Sequence, residues 1–212
     1  MNKFDSHNTE ELILQINNAA TPETALAAIT ALGASGTQAL AAISALMQSL
    51  SHHHVAVRAA AVEVLVKLAP ATVKPLIAAF TSSQDQGLQA HIIQALAQIG
   101  NPEALDLLAE VVGTAVANHC QGNVRRIAAR GLGEIGRTSS DTEIISRVEQ
   151  KLTWALLTPE DWGLRYAAAI SLQELATIGA GMALQQAIAQ EVDQVVRSRI
   201  TIALTALPTA VA

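Results

Sequence analysis

The chain has 212 residues, of which 50% are hydrophobic, 15% charged and only 2% aromatic. Ala, Leu, Ile and Val make up most of the apolar half, which favours helix and disfavours a β-sandwich or barrel built on β-branched and aromatic residues. So much apolar surface also excludes a disordered chain, and thirteen Lys and Arg against eighteen Asp and Glu leave a formal net charge of -5, with no basic excess to drive non-specific nucleic-acid binding.

The N-terminal stretch Met1 to Glu11 is charged and polar and lacks the apolar core of a signal peptide. Cys120 is the single cysteine, so an internal disulfide cannot form and nothing points to an oxidising compartment. The mean hydropathy is positive, and no charged residue occurs from Thr24 to Val57. Even so, Gly33, Ser35, Gly36, Thr37, Gln38, Ser44, Gln48, Ser49 and three histidines interrupt that stretch, leaving no run of about 20 apolar residues to span a bilayer. The expectation is a soluble, cytoplasmic protein.

Self-similarity organises the chain. Six segments carry an anchor (Thr21, Val57, Leu88, Val124, Leu164, Val196) and a small or apolar residue at +4 (Ala25, Ala61, Ile92, Ala128, Ala168, Ile200). Aliphatic residues follow at +8 (Ile29, Leu65, Leu96, Leu132, Leu172, Leu204) and at +11 (Leu32, Leu68, Ile99, Ile135, Leu175, Leu207). Position +12 is Gly33, Ala69, Gly100, Gly136, Ala176 or Pro208, mostly small residues or helix terminators. Spacings of 4, 4 and 3 put these side chains on one helical face. Second amphipathic segments lie between them, at 38–50, 73–80, 103–116, 143–157 and 182–192.

Helix pairs recurring every 31 to 40 residues predict an all-α fold, an α-solenoid of about six helix pairs forming one domain over 1–212. In four units an arginine follows the anchor: Arg58, Arg125, Arg165 and Arg197. With the apolar anchor and small +4 residue, this resembles HEAT repeats, whose second helix often begins Val-Arg. Such arginines are expected to tie adjacent repeats together rather than to touch ligands.

Departures from the repeat mark the candidate chemistry, because insertions fall in loops on one face. The triplet His52-His53-His54 falls at a helix-to-helix turn, and a solvated turn explains it better than a metal site. An expansion at 113–123, GTAVANHCQGN, is expected to be a loop holding Cys120 beside His119. A neighbouring imidazole and an approaching helix N-terminus both favour thiolate there, although an incidental lone Cys is the bland alternative. One Cys and one His leave a zinc site at least two ligands short, so no metal is expected.

A second expansion at 137–141, RTSSD, reads as a loop ending in a helix cap. Arg126 and Arg130 are four apart and share a helix face suited to a pair of carboxylates, with a solvated face as the default. Trp154, Trp162 and Tyr166 are three of the five aromatics. Trp154 is assigned to the core; Trp162 and Tyr166 are expected to flank a turn and to stack on a flat ligand or a protein partner. No Gly-rich phosphate loop, Ser/His/Asp signature or paired-carboxylate motif is present.

The stretches GNVRRIAARGLGEIG (122–136) and WGLRYAAAISLQEL (162–175) resemble the F-type subunits of the cyanobacterial E/F phycobilin lyases. Within that family NHCQGN (118–123) is similar to the motif of the lyase/isomerase that serves the phycoerythrocyanin α chain. The resemblance implies a heterodimer with an E-type HEAT subunit, working in the cyanobacterial cytosol during phycobilisome assembly. The pair would attach phycocyanobilin through a thioether to a cysteine of the phycoerythrocyanin α chain and isomerise it to phycoviolobilin.

No permanently bound cofactor is implied, the bilin being the substrate. Carried over residue by residue, the resemblance implies that His119 and Cys120 form the isomerase pair, with Asn118, Gln121, Gly122 and Asn123 shaping their loop. Arg126 and Arg130 as receivers of bilin propionates are an expectation from helix spacing rather than from the family motif, and Trp162 and Tyr166 are expected to contact a pyrrole ring or the partner. The competing expectations are a lyase subunit without isomerase activity and a non-enzymatic phycobiliprotein-binding scaffold or degradation factor.

Overall fold

Every one of the six template segments is a helix, and a second helix precedes each. The computed structural model describes residues 3–114 and 119–208, with backbone alone at 3–7, 37–38 and 119–121. Among the described residues the helices are α1 (Lys3–Asn17), α2 (Pro22–Ala34), α3 (Ile43–Ser49), α4 (Val55–Lys67), α5 (Val73–Ser82), α6 (Gln86–Ile99), α7 (Leu105–Gly113), α8 (His119–Thr138), α9 (Thr142–Leu157), α10 (Trp162–Leu175), α11 (Ile178–Gln190) and α12 (Gln194–Ala206). Short 3-10 turns, Gly36–Ala42 and Pro102–Ala104, lead into α3 and α7.

The start signals are local. Thr21, Asp141, Asp161, Thr177 and Asp193 each cap the following helix by accepting a backbone N–H with the side chain. At the other end, α10 closes on Ala176 in the left-handed conformation, and Gly100 after α6 is left-handed as well (φ 52° and 63°).

The helices form two compact units, Met1–Ile99 and Gly100–Ala212. In the first, α2 packs on α4 and α4 on α6; in the second, α8 packs on α10 and α10 on α12. Most template residues lie in the seams, but the first anchor, Thr21, is exposed and caps α2, and Leu88, Val124, Ile99 and Leu175 are half-buried. All six at +4 are buried, as are Ile29, Leu65, Leu96, Leu132 and Leu172 at +8. Leu204, at +8 of the sixth segment, is half-buried. Small residues set how near the helices come: a Cβ on Gly133 of α8 would stand 2.6 Å from Ser171 Cβ and 3.1 Å from Ser171 Cα of α10.

The repeat arginines do two jobs. Arg58 donates from Nη1 to the carbonyls of His52 and His53, Arg125 from Nε to Val112, Arg165 from Nη1 to Pro159 and Glu160, and Arg197 from Nη1 to Ile188 and Glu191. Arg125 and Arg197 thus satisfy carbonyls at the end of the helix preceding their own, and Arg58 and Arg165 carbonyls of the loop that follows that helix. Arg58 also reaches His91 of α6 (3.0 Å), and Arg165 grips Glu191, at the end of α11, through Nε and Nη2 (2.7 and 3.0 Å). Those last contacts are the expected ties between adjacent repeats.

Three local expectations change. The expansion at 113–123 is not all loop, because α8 begins at His119 and takes His119 to Asn123 into its first turns. Trp154 is not core: it is 36% exposed, with Lys151 Nζ 4.5 Å from its ring centroid. Trp162 flanks the 158–161 turn as the first residue of α10, but Tyr166 lies a turn inside that helix. The 137–141 segment behaves as expected, ending in the Asp141 cap.

Candidate functional site

The first turns of α8 hold the motif. Asn118 lies outside the described residues, and of His119, Cys120 and Gln121 the helical backbone alone is described. Gly122 is buried and Asn123 exposed. Spacings of 4, 3 and 4 put positions 119, 123, 126 and 130 on one stripe of α8. Position 119 therefore heads the row that continues through both arginines.

Arg126 and Arg130 are not on a solvated face; they cross to α10. Arg126 Nη2 donates to Asp161 at 2.7 Å, and its guanidinium carbon lies 5.5 Å from the Trp162 ring centroid. Gly163 makes this possible, since a Cβ there would stand 2.2 Å from that carbon. Arg126 Nε is buried and has no hydrogen-bond partner among the described residues. Burial pushes the Asp161 carboxyl up, but the Arg126 hydrogen bond and charge, with the Gly163 and Leu164 amides, win and hold it below the usual range. Arg130 makes a bidentate pair with Glu174 (2.8 Å each) and donates to Ser171 Oγ at 3.0 Å. An incoming carboxylate at either arginine meets one already in place.

Sequence reasoning did not find Asp161, Ser171 and Glu174. Arg126 and Asp161 are 35 residues apart, Arg130 and Glu174 44, close to one repeat. A search for acids one repeat downstream of each arginine would have found both carboxylates.

Beside this row stand two further features. Lys151 of α9 and Arg125 of α8 are both held below their usual pKa, chiefly by burial, and Arg125 adds to the Lys151 shift by its charge. Tyr166 of α10 and Gln194, Val195, Ser198, Arg199 and Ile202 of α12 line an open groove of about 390 Å³, with Val195 and Ile202 exposed. Trp162 is 47% exposed and so presents aromatic surface to solvent beside the Arg126 pair.

In the first unit His52 and His53 stack with ring centroids 4.2 Å apart, and His52 Nδ1 accepts the His54 backbone N–H at 3.0 Å. Burial, then the charges of His53 and His54, push the His52 pKa down. Among the described residues no three His, Cys, Asp or Glu side chains gather as metal ligands, and no helix is long and apolar enough to cross a membrane.

This all-α architecture of paired helices has relatives. The HEAT-repeat family profile matches residues 9–73, 43–117 and 112–205, so the class is a HEAT-repeat protein. The chain is 63% identical to the bilin biosynthesis protein PecF of Mastigocladus laminosus over 203 residues, 95% of this chain and 96% of that one. It is 70% identical to the bilin biosynthesis protein PecF of Nostoc sp. strain PCC 7120 over 164 residues, 77% of this chain and 95% of that one. Among solved structures it matches the complex of CpcE and CpcF of phycocyanin lyase from Nostoc sp. PCC7120, with TM-score 0.67 and 28% identity over 77% of this chain and 98% of that one. The chain belongs to the HEAT-repeat family of bilin biosynthesis proteins represented by these PecF relatives.

Proposed function

We propose that this chain, paired with an E-type HEAT subunit in the cyanobacterial cytosol, attaches phycocyanobilin by a thioether bond to a cysteine of the phycoerythrocyanin α chain and isomerises it to phycoviolobilin. Its similarity to a chain of the CpcE and CpcF lyase complex supports the paired state. The observation that carries the isomerase half is the place of His119 and Cys120 in the first turn of α8, where position 119 heads the stripe that holds Asn123, Arg126 and Arg130.

Isomerisation moves a double bond in the tetrapyrrole, so a proton leaves one carbon and enters another with no net change of composition. A group titrating near neutral pH suits that transfer, and His119 is the candidate. Cys120, at a helix N-terminus, has the partial positive charge of the backbone to favour thiolate. It then serves as the second acid/base or adds transiently to the conjugated system. Gly122 and Asn123 hold the turn, and the exposed Trp162 and the groove at Tyr166 are the surfaces for a pyrrole ring or the partner. Propionates reach Arg126 and Arg130 only by displacing Asp161 and Glu174 or by sharing the guanidinium with them.

The product spectrum tests this. Co-expressed with the E-type subunit, the α chain and bilin-making enzymes, Cys120→Ser and His119→Gln should still ligate but yield the phycocyanobilin adduct instead of the violet-absorbing one. An unchanged violet-absorbing product from both variants sinks the isomerase assignment. A wild-type chain that ligates phycocyanobilin without isomerising it identifies a plain lyase subunit, and one that gives no adduct a scaffold.

A further inference from the structure

Arg125 and Lys151 are two cations at one end of α7, and among the described residues no anion is paired with either. Arg125 is buried, and among the described residues its one hydrogen bond runs from Nε to the Val112 carbonyl at 2.9 Å. Lys151 Nζ lies over Trp154 and against Gly113, where a Cβ would stand 2.8 Å from it. Both charges thus converge on the last residues of α7. A helix C-terminus offers about half a negative charge, too little for two cations.

The next repeat shows what is missing. Arg165, the counterpart of Arg125, is neutralised by Glu191, five residues before the anchor Val196. Five residues before the anchor Leu164 stands Pro159, which has no charge to offer Arg125. The acid that acts on Arg125 through space, Asp161, is already hydrogen-bonded to Arg126. Residues 115–121, AVANHCQ, contain no Asp or Glu. Lys151 and Arg125 form no ion pair among the described residues, whereas Arg126, Arg130, Arg147 and Arg165 of the same unit all do.

We infer that Lys151 Nζ and the Arg125 guanidinium form an anion subsite for one carboxylate of the substrate, with Trp154 as its apolar wall. If the chain handles a bilin, as proposed above, that carboxylate is a propionate of the tetrapyrrole. The subsite lies at the α7–α8 end of the unit, where α8 opens with His119 and Cys120, so a propionate held there tethers the tetrapyrrole near the proposed isomerase pair.

The test uses the full chain in complex with its E-type subunit, titrated with phycocyanobilin and separately with its dimethyl ester, which has no free carboxylate. Lys151→Met keeps the packing against Trp154 and removes the charge; Lys151→Glu supplies Arg125 with an internal anion. Phycocyanobilin should bind Lys151→Glu about tenfold more weakly than wild type, with Lys151→Met between, while the ester binds all three alike. Equal phycocyanobilin affinity in the three proteins, or equal losses for acid and ester, overturns the subsite alone. No binding of either compound by the wild-type complex overturns both the subsite and the bilin proposal beneath it.

Discussion

Arg125 and Arg126 are neighbours in sequence and opposite in circumstance: one is buried against a neutral carbonyl, the other is paired with a carboxylate. The Arg126 pair can be isolated cleanly, because Asp161→Asn keeps the side-chain acceptor that caps α10 and removes only the charge. That change should cost about 1 kcal/mol, the scale of a half-exposed ion pair, read as a lower thermal midpoint. Arg165 and Glu191 form a more enclosed pair, with side chains 14% and 5% exposed. Glu191→Gln should therefore cost more, roughly 2 to 3 kcal/mol. The Arg165 hydrogen bond is the main cause of the lowered Glu191 pKa, outweighing burial, which acts in the opposite direction. A carboxyl lowered on folding stabilises the protein above its unfolded pKa, and that contribution is lost as pH falls through the folded value. In acid titrations followed by circular dichroism, wild type and Glu191→Gln should differ fully above the ordinary value of 4.5 and converge at more acid pH.

Helices α8 and α10 show how a repeat places its side chains by contact distance rather than by charge. Gly133→Ala adds a residue of better helix propensity, worth about 1 kcal/mol in an exposed helix. Here it puts a methyl 2.6 Å from Ser171 Cβ and 3.1 Å from its backbone Cα, where neither partner can rotate away. The net effect should be destabilisation of about 2 kcal/mol, visible in thermal unfolding. Hydrogen exchange should register the loss chiefly in 100–212. The periodicity of 4, 4 and 3 made the helical faces legible, because one apolar stripe per helix is what burial demands. The start of α8 was not: HCQGN has no apolar stripe and a Gly-Asn end, Gly122-Asn123, and its local chemistry reads as a turn. Packing of the rest of the helix carries it back to His119.

The whole chain matches relatives along nearly its full length, and its exposed Trp162, Val195 and Ile202 lie on α10 and α12. Mixing the chain with an E-type subunit should give a single complex in size-exclusion chromatography. Replacing both Val195 and Ile202 by Ser should leave the fold intact, since both are more than half exposed. If the α10–α12 groove is the surface for the partner, the double variant loses the complex; if it is a surface for the bilin, the complex survives and bilin binding weakens. The shortage of aromatics with which the sequence opens follows from the repeat: seams between neighbouring helices need only Ala and aliphatic side chains, and no deep centre has to be filled.

By itself the sequence determined the class of fold, the helix faces, the cap before α9 and the motif His119-Cys120, because periodicity, cap chemistry and short motifs are properties of neighbouring residues. Tertiary structure decided which charges are free. Arg126 and Arg130 look like open carboxylate receivers along the chain and are neutralised by Asp161 and Glu174 of the next repeat. Arg125, which spacing marked only as a tie between repeats, and Lys151, which spacing did not mark, meet at the end of α7 without a counter-ion among the described residues. Compensation of charge depends on distance through space, and residues one repeat apart come within hydrogen-bonding reach only once the helices have packed.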